Sequence, residues 1–155
     1  MKARVAASIV LAFGLTLGMS GCSLVTTQET LNVKESSVGV SGSVGQIDVR
    51  NAVLITDGSN GKVGNLVTTF VNNEDKPHRV QVQHGSTNEY VTVPAYGVKK
   101  IGGKGETRVQ FSNLGAKPGG LTDVFFTYAT ETGVRLRVPV LASTFPGFAD
   151  YAPKR

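Results

Sequence analysis

"HRVQVQH", residues 78–84, alternates without a break, with Val80 and Val82 on one parity and Arg79, Gln81 and Gln83 on the other. A period of two marks a strand with one face on a core and the other in water. Working outward, "NEDKP" (73–77) is a polar turn, and "GNLVTTFVN" (64–72) before it reads as a second strand. On the other side "EYVTVPA" (89–95) stops at Pro94, which has no N–H to give a ladder. A short "VKKI" (98–101) precedes a glycine-rich loop, "GGKGE" (102–106), and "TRVQFS" puts Thr107, Val109 and Phe111 on one face. "LTDVFFTYA" (121–129) and "GVRLRVPVL" (133–141) form a last pair. In the second of them Val134, Leu136, Val138 and Val140 face inward, Arg135 and Arg137 face outward, and Pro139 points to a sheet edge.

The N-terminal flank, "QIDVRNAVLI" (46–55), sets Ile47, Val49, Val53 and Ile55 on one parity, and Asn51 interrupts it, which predicts a bend or bulge. A turn at Asn60-Gly61 follows. Seven to eight short strands, turn signals about every ten residues and no helical period after residue 21 define an all-β chain, an antiparallel β-sandwich over residues 46–142. No parallel pairing is expected. The 155 residues suit one domain, and 19 glycines with no tryptophan fit short strands and turns.

Residues 1–21 read as an export leader. Lys2 and Arg4 form a positive start, Val5 to Leu17 an apolar run, and Gly18 to Gly21 a small-residue approach to Cys22. The run is shorter than the ~20 residues of a spanning helix. The quartet Met19-Ser20-Gly21-Cys22 resembles a bacterial lipobox, with methionine in place of the commoner leucine. That resemblance implies cleavage before Cys22, a covalent diacylglycerol on its sulfur and a position on the extracytoplasmic face of the cell membrane. Two acyl chains meet the requirement for stable anchoring. Residues 22–45, rich in Ser, Thr, Val and Gly, read as a tether of about 25 Å r.m.s. span, with a strand over 29–35 as the alternative.

With Cys22 lipidated, no cysteine remains for disulfides, thiolate catalysis or thiolate metal sites. Removing Lys2 and Arg4 leaves 14 basic and 11 acidic residues, about +3, too mild to suggest a nucleic-acid partner. The blocks "VRNAVL", "GNLVTTFVNNEDKPHRVQV" and "GGLTDVFFTYATETGVRLRVPV" resemble, in order, those of the periplasmic copper(I) chaperone family PCuAC. The chain resembles still more the actinobacterial envelope lipoproteins related to that family. The likeness spans about residues 46–142 and implies a cupredoxin-like or immunoglobulin-like sandwich.

It also implies where copper would bind, and this sequence departs there. The family uses two histidines and two methionines, soft donors suited to copper(I). Here the methionines are Met1 and Met19, both in the leader, and the segment matching the family's His-x-Met pair reads "TRVQFSNLG". His78 and His84 remain, but six extended residues separate them by about 20 Å, too far to share an ion unless the strand breaks. The expectation is therefore no cofactor and no metal, with a copper or other metal carrier using His78 or His84 as the alternative.

No nucleophile elbow, phosphate loop or calcium loop is present, so the chain reads as not an enzyme. The candidate contacts with an envelope protein or anionic polymer are Lys99, Lys100, Lys104 and Arg108, joined by Arg135 and Arg137 if their strands are adjacent. The tail, residues 143–155, spaces Phe145, Phe148 and Tyr151 by three and either straps onto its own domain or offers aromatic anchors to a partner.

Overall fold

The computed structural model describes residues 38–58 and 61–154, so the leader, Cys22, residues 29–35 and Asn60 of the turn lie outside them. Among the described residues there are nine strands: β1 (Val40–Val44), β2 (Ile47–Thr56), β3 (Val63–Asn72), β4 (His78–His84), β5 (Thr87–Val93), β6 (Val98–Ile101), β7 (Val109–Ser112), β8 (Leu121–Thr127) and β9 (Val134–Ala142). They hydrogen-bond in the order β5-β4-β8-β9-β2-β3-β6, with β1 added to β2 and β7 added to β3. The sheet folds over so that two arms, β5-β4-β8-β9 and β2-β3 with their partners, enclose one core.

The alternation read from the sequence governs the first arm. Val80, Val82, Val91, Val93, Val124 and Phe126 are buried on one side, as are Leu136, Val138 and Val140. Phe126 meets Phe70 of the second arm edge-on, with ring centroids 6.0 Å apart. This contact ties the two arms together across the core.

The purely antiparallel expectation needs correction. β9 runs parallel to the second half of β2, pairing Val140, Leu141 and Ala142 with Leu54, Ile55 and Thr56. Pro139 accordingly does not mark an edge. It closes the ladder with β8, opposite Leu121, one residue before the ladder with β2 begins. The missing N–H falls where the strand changes partners.

The bulge at Asn51 is present, and it flips parity. Asn51 has φ +53°, and the registers with both β1 and β3 shift across it. Ile47 and Val49 join the main core cluster before the bulge; Ala52 and Leu54 join it after, while Val53 and Ile55 are buried outside that cluster. Asn51 Oδ1 accepts from Gly39 N–H at 2.9 Å, and its own N–H donates to Ser41 Oγ at 2.9 Å. Asparagine tolerates the left-handed region better than residues whose side chains cannot bond locally. Asn51→Ala should cost about 1–2 kcal/mol, with Asn51→Gly recovering the backbone part, read as shifts in the urea midpoint.

The sheet also starts earlier than composition suggests. Val40–Val44, placed in the tether by its serines and glycines, pairs antiparallel with β2. Asp48 fastens this hairpin by accepting from Ser43 Oγ and Arg50 Nη2, both at 2.9 Å. The Arg50 hydrogen bond is the main cause of a lowered Asp48 pKa; partial burial opposes it, and bonds from Ser43 and Asn73 add to it. The folded carboxyl is the stronger acid, so its stabilisation is complete above the unfolded value of about 4 and fades as pH falls through the lowered folded one. The urea midpoints of wild type and Asp48→Asn should differ most above about pH 4 and converge in stronger acid.

Candidate functional site

His78 and His84 are the two imidazole donors of the chain. β4 pairs with β5 in unbroken register from His78↔Val93 to His84↔Thr87, so the two rings sit at opposite ends of a continuous strand. That keeps them about 20 Å apart. His78 meets the Glu74 carboxylate through Nε2 and lies against the Tyr128 ring at 4.6 Å. Tyr128 is buried, and its hydroxyl accepts from Gln46 N–H at 3.0 Å, so this end of β4 is a structural joint. His84 packs on Phe111 at 5.5 Å and its Nδ1 lies 2.9 Å from the Asp123 carbonyl. A carbonyl only accepts, so Nδ1 carries a proton in this contact. Among the described residues no group of three or more His, Cys, Asp or Glu is placed to hold a metal ion.

The expected basic group is divided by the topology. Lys99 and Lys100 occupy β6, opposite Phe70 and Thr69 of β3. Lys104 lies exposed in the following loop. Arg135 and Arg137 belong to β9, which β2 and β3 separate from β6. Arg135 stands 3.8 Å from Asp123 on the neighbouring strand. Arg108 turns to the C-terminal tail, donating to the carbonyls of Ala152 (2.9 Å) and Asp150 (3.4 Å).

The tail is a strap. Ser143 N–H bonds Thr56 O at 2.8 Å, and the fully buried Asn65 donates through Nδ2 to Tyr151 O (2.9 Å) and Gly102 O (2.8 Å). The Gln110 amide, turned with its oxygen toward Lys154 N–H, accepts at 2.7 Å and donates to Lys154 O at 3.3 Å. Phe145, Phe148 and Tyr151 stack in sequence, with centroids 6.0 and 5.9 Å apart, around a short 3-10 turn, Ala149–Tyr151. Phe145 keeps 49% of its surface exposed. Tyr151, Lys100, Glu106, Thr69 and Asn51 help line a hollow of about 180 Å³, below the 300 Å³ or so at which small-molecule pockets begin.

Among the described residues nine strands form one mixed sheet, with β9 joining its two arms. The fold is that of PCuAC domains. The copper-bound PCuAC domain from PmoF2 superposes with a TM-score of 0.53 at 18% identity, covering 66% of this chain and 98% of that chain. The apo PmoF2 PCuAC domain gives 0.53 at 17% identity, covering 68% and 97%. The apo PCuAC domain from PmoF1 gives 0.54 at 15% identity, covering 66% and 99%. No family model matches the chain. No curated protein matches it either.

In the segment 107–115, where the resemblance placed the His-x-Met pair, Arg108 and Gln110 both bond the tail. Asn65 and Gln110 had not stood out in the sequence. The signal available for them was a buried-side amide in β3 and an outward amide in β7, neither of which names a tail as partner. Cys22 lies outside the described residues.

Proposed function

We propose that this chain is a membrane-anchored extracytoplasmic lipoprotein, held by diacylglycerol on Cys22, whose domain is a non-catalytic binding or scaffold module of the cell envelope. The PCuAC-type fold raises copper as the obvious cargo, since one neighbour is a copper-bound domain. The donor set here does not fit that ion. Copper(I) prefers thioethers, thiolates and imidazoles, yet both methionines precede Cys22 and the chain has no second cysteine. The observation that carries the reading is the unbroken β4 ladder, which holds His78 and His84 at opposite strand ends.

One feature favours a second reading, a metal carrier with a non-standard site. His84 donates from Nδ1 to a backbone carbonyl, the arrangement that orients Nε2 in many metal-bound histidines. A copper(I) competition titration of residues 28–155 separates the two. The binding-module reading expects no stoichiometric complex, whereas a complex tighter than micromolar that His84→Ala or His78→Ala abolishes would establish the carrier.

A further inference from the structure

We propose that the outer face of the β5-β4-β8-β9 arm binds a carboxylate-bearing glycan. The inference rests on the binding-module reading and gives that module a ligand class. Strand register builds the face. One cross-strand row runs Asn88, Gln83, Phe125, Arg135, and the next runs Tyr90, Gln81, Thr127. All these side chains lie on the parity opposite the buried valines and Phe126.

Two aromatic rings stand out of this surface: Tyr90 is 46% exposed and Phe125 43%. They lie two strands and two residues apart, about 12 Å by strand geometry. Between them β4 presents Gln81 and Gln83. Gln81 donates to Asn88 at 3.0 Å and Gln83 to Gly85 O at 3.1 Å, so the amides are ordered on the sheet. The Arg79 guanidinium sits 4.0 Å from the Tyr90 ring centroid and fixes the ring's attitude. Arg79, Arg135 and Arg137 oppose the single carboxylate of Asp123 on this face, leaving it net positive.

Aromatic rings accept the C–H faces of sugars, ordered amides pair with hydroxyls, and guanidiniums hold carboxylates in a fork. A protein partner fits less well. The buried centre of a protein interface is more apolar than its rim, whereas here the centre is Gln81 and Gln83, whose free amide oxygens would lose water against an apolar surface. Strand addition would use the open edge of β5 and not this face, since β4 and β8 are each paired on both sides.

The test is native affinity electrophoresis of the full processed chain in nonionic detergent, through gels containing polygalacturonate, neutral dextran or polyglutamate. Polygalacturonate should retard the protein most. Tyr90→Ala and Phe125→Ala should each weaken that retardation about tenfold at an unchanged melting temperature, an effect of the size expected for one lost aromatic contact. Lys104→Ala, on another surface, should leave it unchanged. No retardation by polygalacturonate, equal retardation by polyglutamate or dextran, or insensitivity to both aromatic substitutions would overturn the proposal. Copper(I) titration of the same preparation reports separately on the binding-module reading: a stoichiometric complex counts against that reading, and a negative gel without one counts against the glycan alone.

Discussion

Phe126→Ala lowers the free energy of unfolding by about 3–5 kcal/mol, while Phe125→Ala, one residue away, changes it by no more than about 0.5 kcal/mol. Phe126 is fully buried in the cluster that joins the two arms, and its ring meets Phe70 edge-on. Truncation removes the transfer free energy of a phenyl group and leaves a cavity between arms that have no disulfide to hold them. Phe125 points the other way, half-exposed beside Gln83 and Arg135. Against a typical total of about 5–15 kcal/mol the first loss is large enough to unfold a marginal domain at 37 °C. Urea midpoints of the two variants check it. Equal losses would mean that β8 is not registered as described.

Cys22→Ala moves the protein from the membrane fraction to the soluble one or leaves an unprocessed precursor. If the proposed diacylglycerol is the anchor, its two acyl chains contribute about 0.8 kcal/mol for each buried CH₂, so removing the sulfur removes the whole attachment and not a share of it. The apolar run Val5 to Leu17 is too short to span in its place. Fractionation and mass spectrometry of the N-terminus read the outcome. Normal cleavage with unchanged membrane retention would contradict lipid anchoring.

The strands legible in the sequence are those with one wet face. β4 and β9 alternate cleanly because only one side of each touches the core, and in β5 the pattern holds over Val91–Val93. β2 was legible only to its midpoint. Beyond Asn51 all five residues from Ala52 to Thr56 are buried, so no alternation remains to show the flipped parity. A continuous buried run of this kind is the usual mark of a parallel partner, and β9 is that partner. β1 escaped notice because its small polar residues, Ser41, Gly42 and Ser43, look like linker; its membership in the sheet comes from pairing with β2 and from one buried side chain, Val44.

The candidate site was legible in one respect and opaque in another. The separation of His78 and His84 follows from counting residues along an alternating strand, and the continuous ladder removes the one exception, a break between them. The fate of Arg108 could not be read. Its partners are main-chain carbonyls 42 and 44 residues away, and any residue type at Asp150 or Ala152 would offer the same oxygen. The same holds for Asn65, whose two acceptors are backbone groups of the 102–106 loop and the tail. Outward side chains on adjoining strands, by contrast, became a surface only once register placed Tyr90 and Phe125 on either side of the β4 amides.

We propose that a PCuAC-type fold here serves a module without the copper chemistry of its copper-bound neighbour. The most direct test is equilibrium competition for copper(I) between residues 28–155 and a chromophoric chelator of known affinity, at neutral pH under reducing, oxygen-free conditions. The chelator should keep its full complement of copper at one equivalent of protein. Withdrawal of one copper per chain with a dissociation constant below micromolar, lost in His78→Ala or His84→Ala, would contradict it.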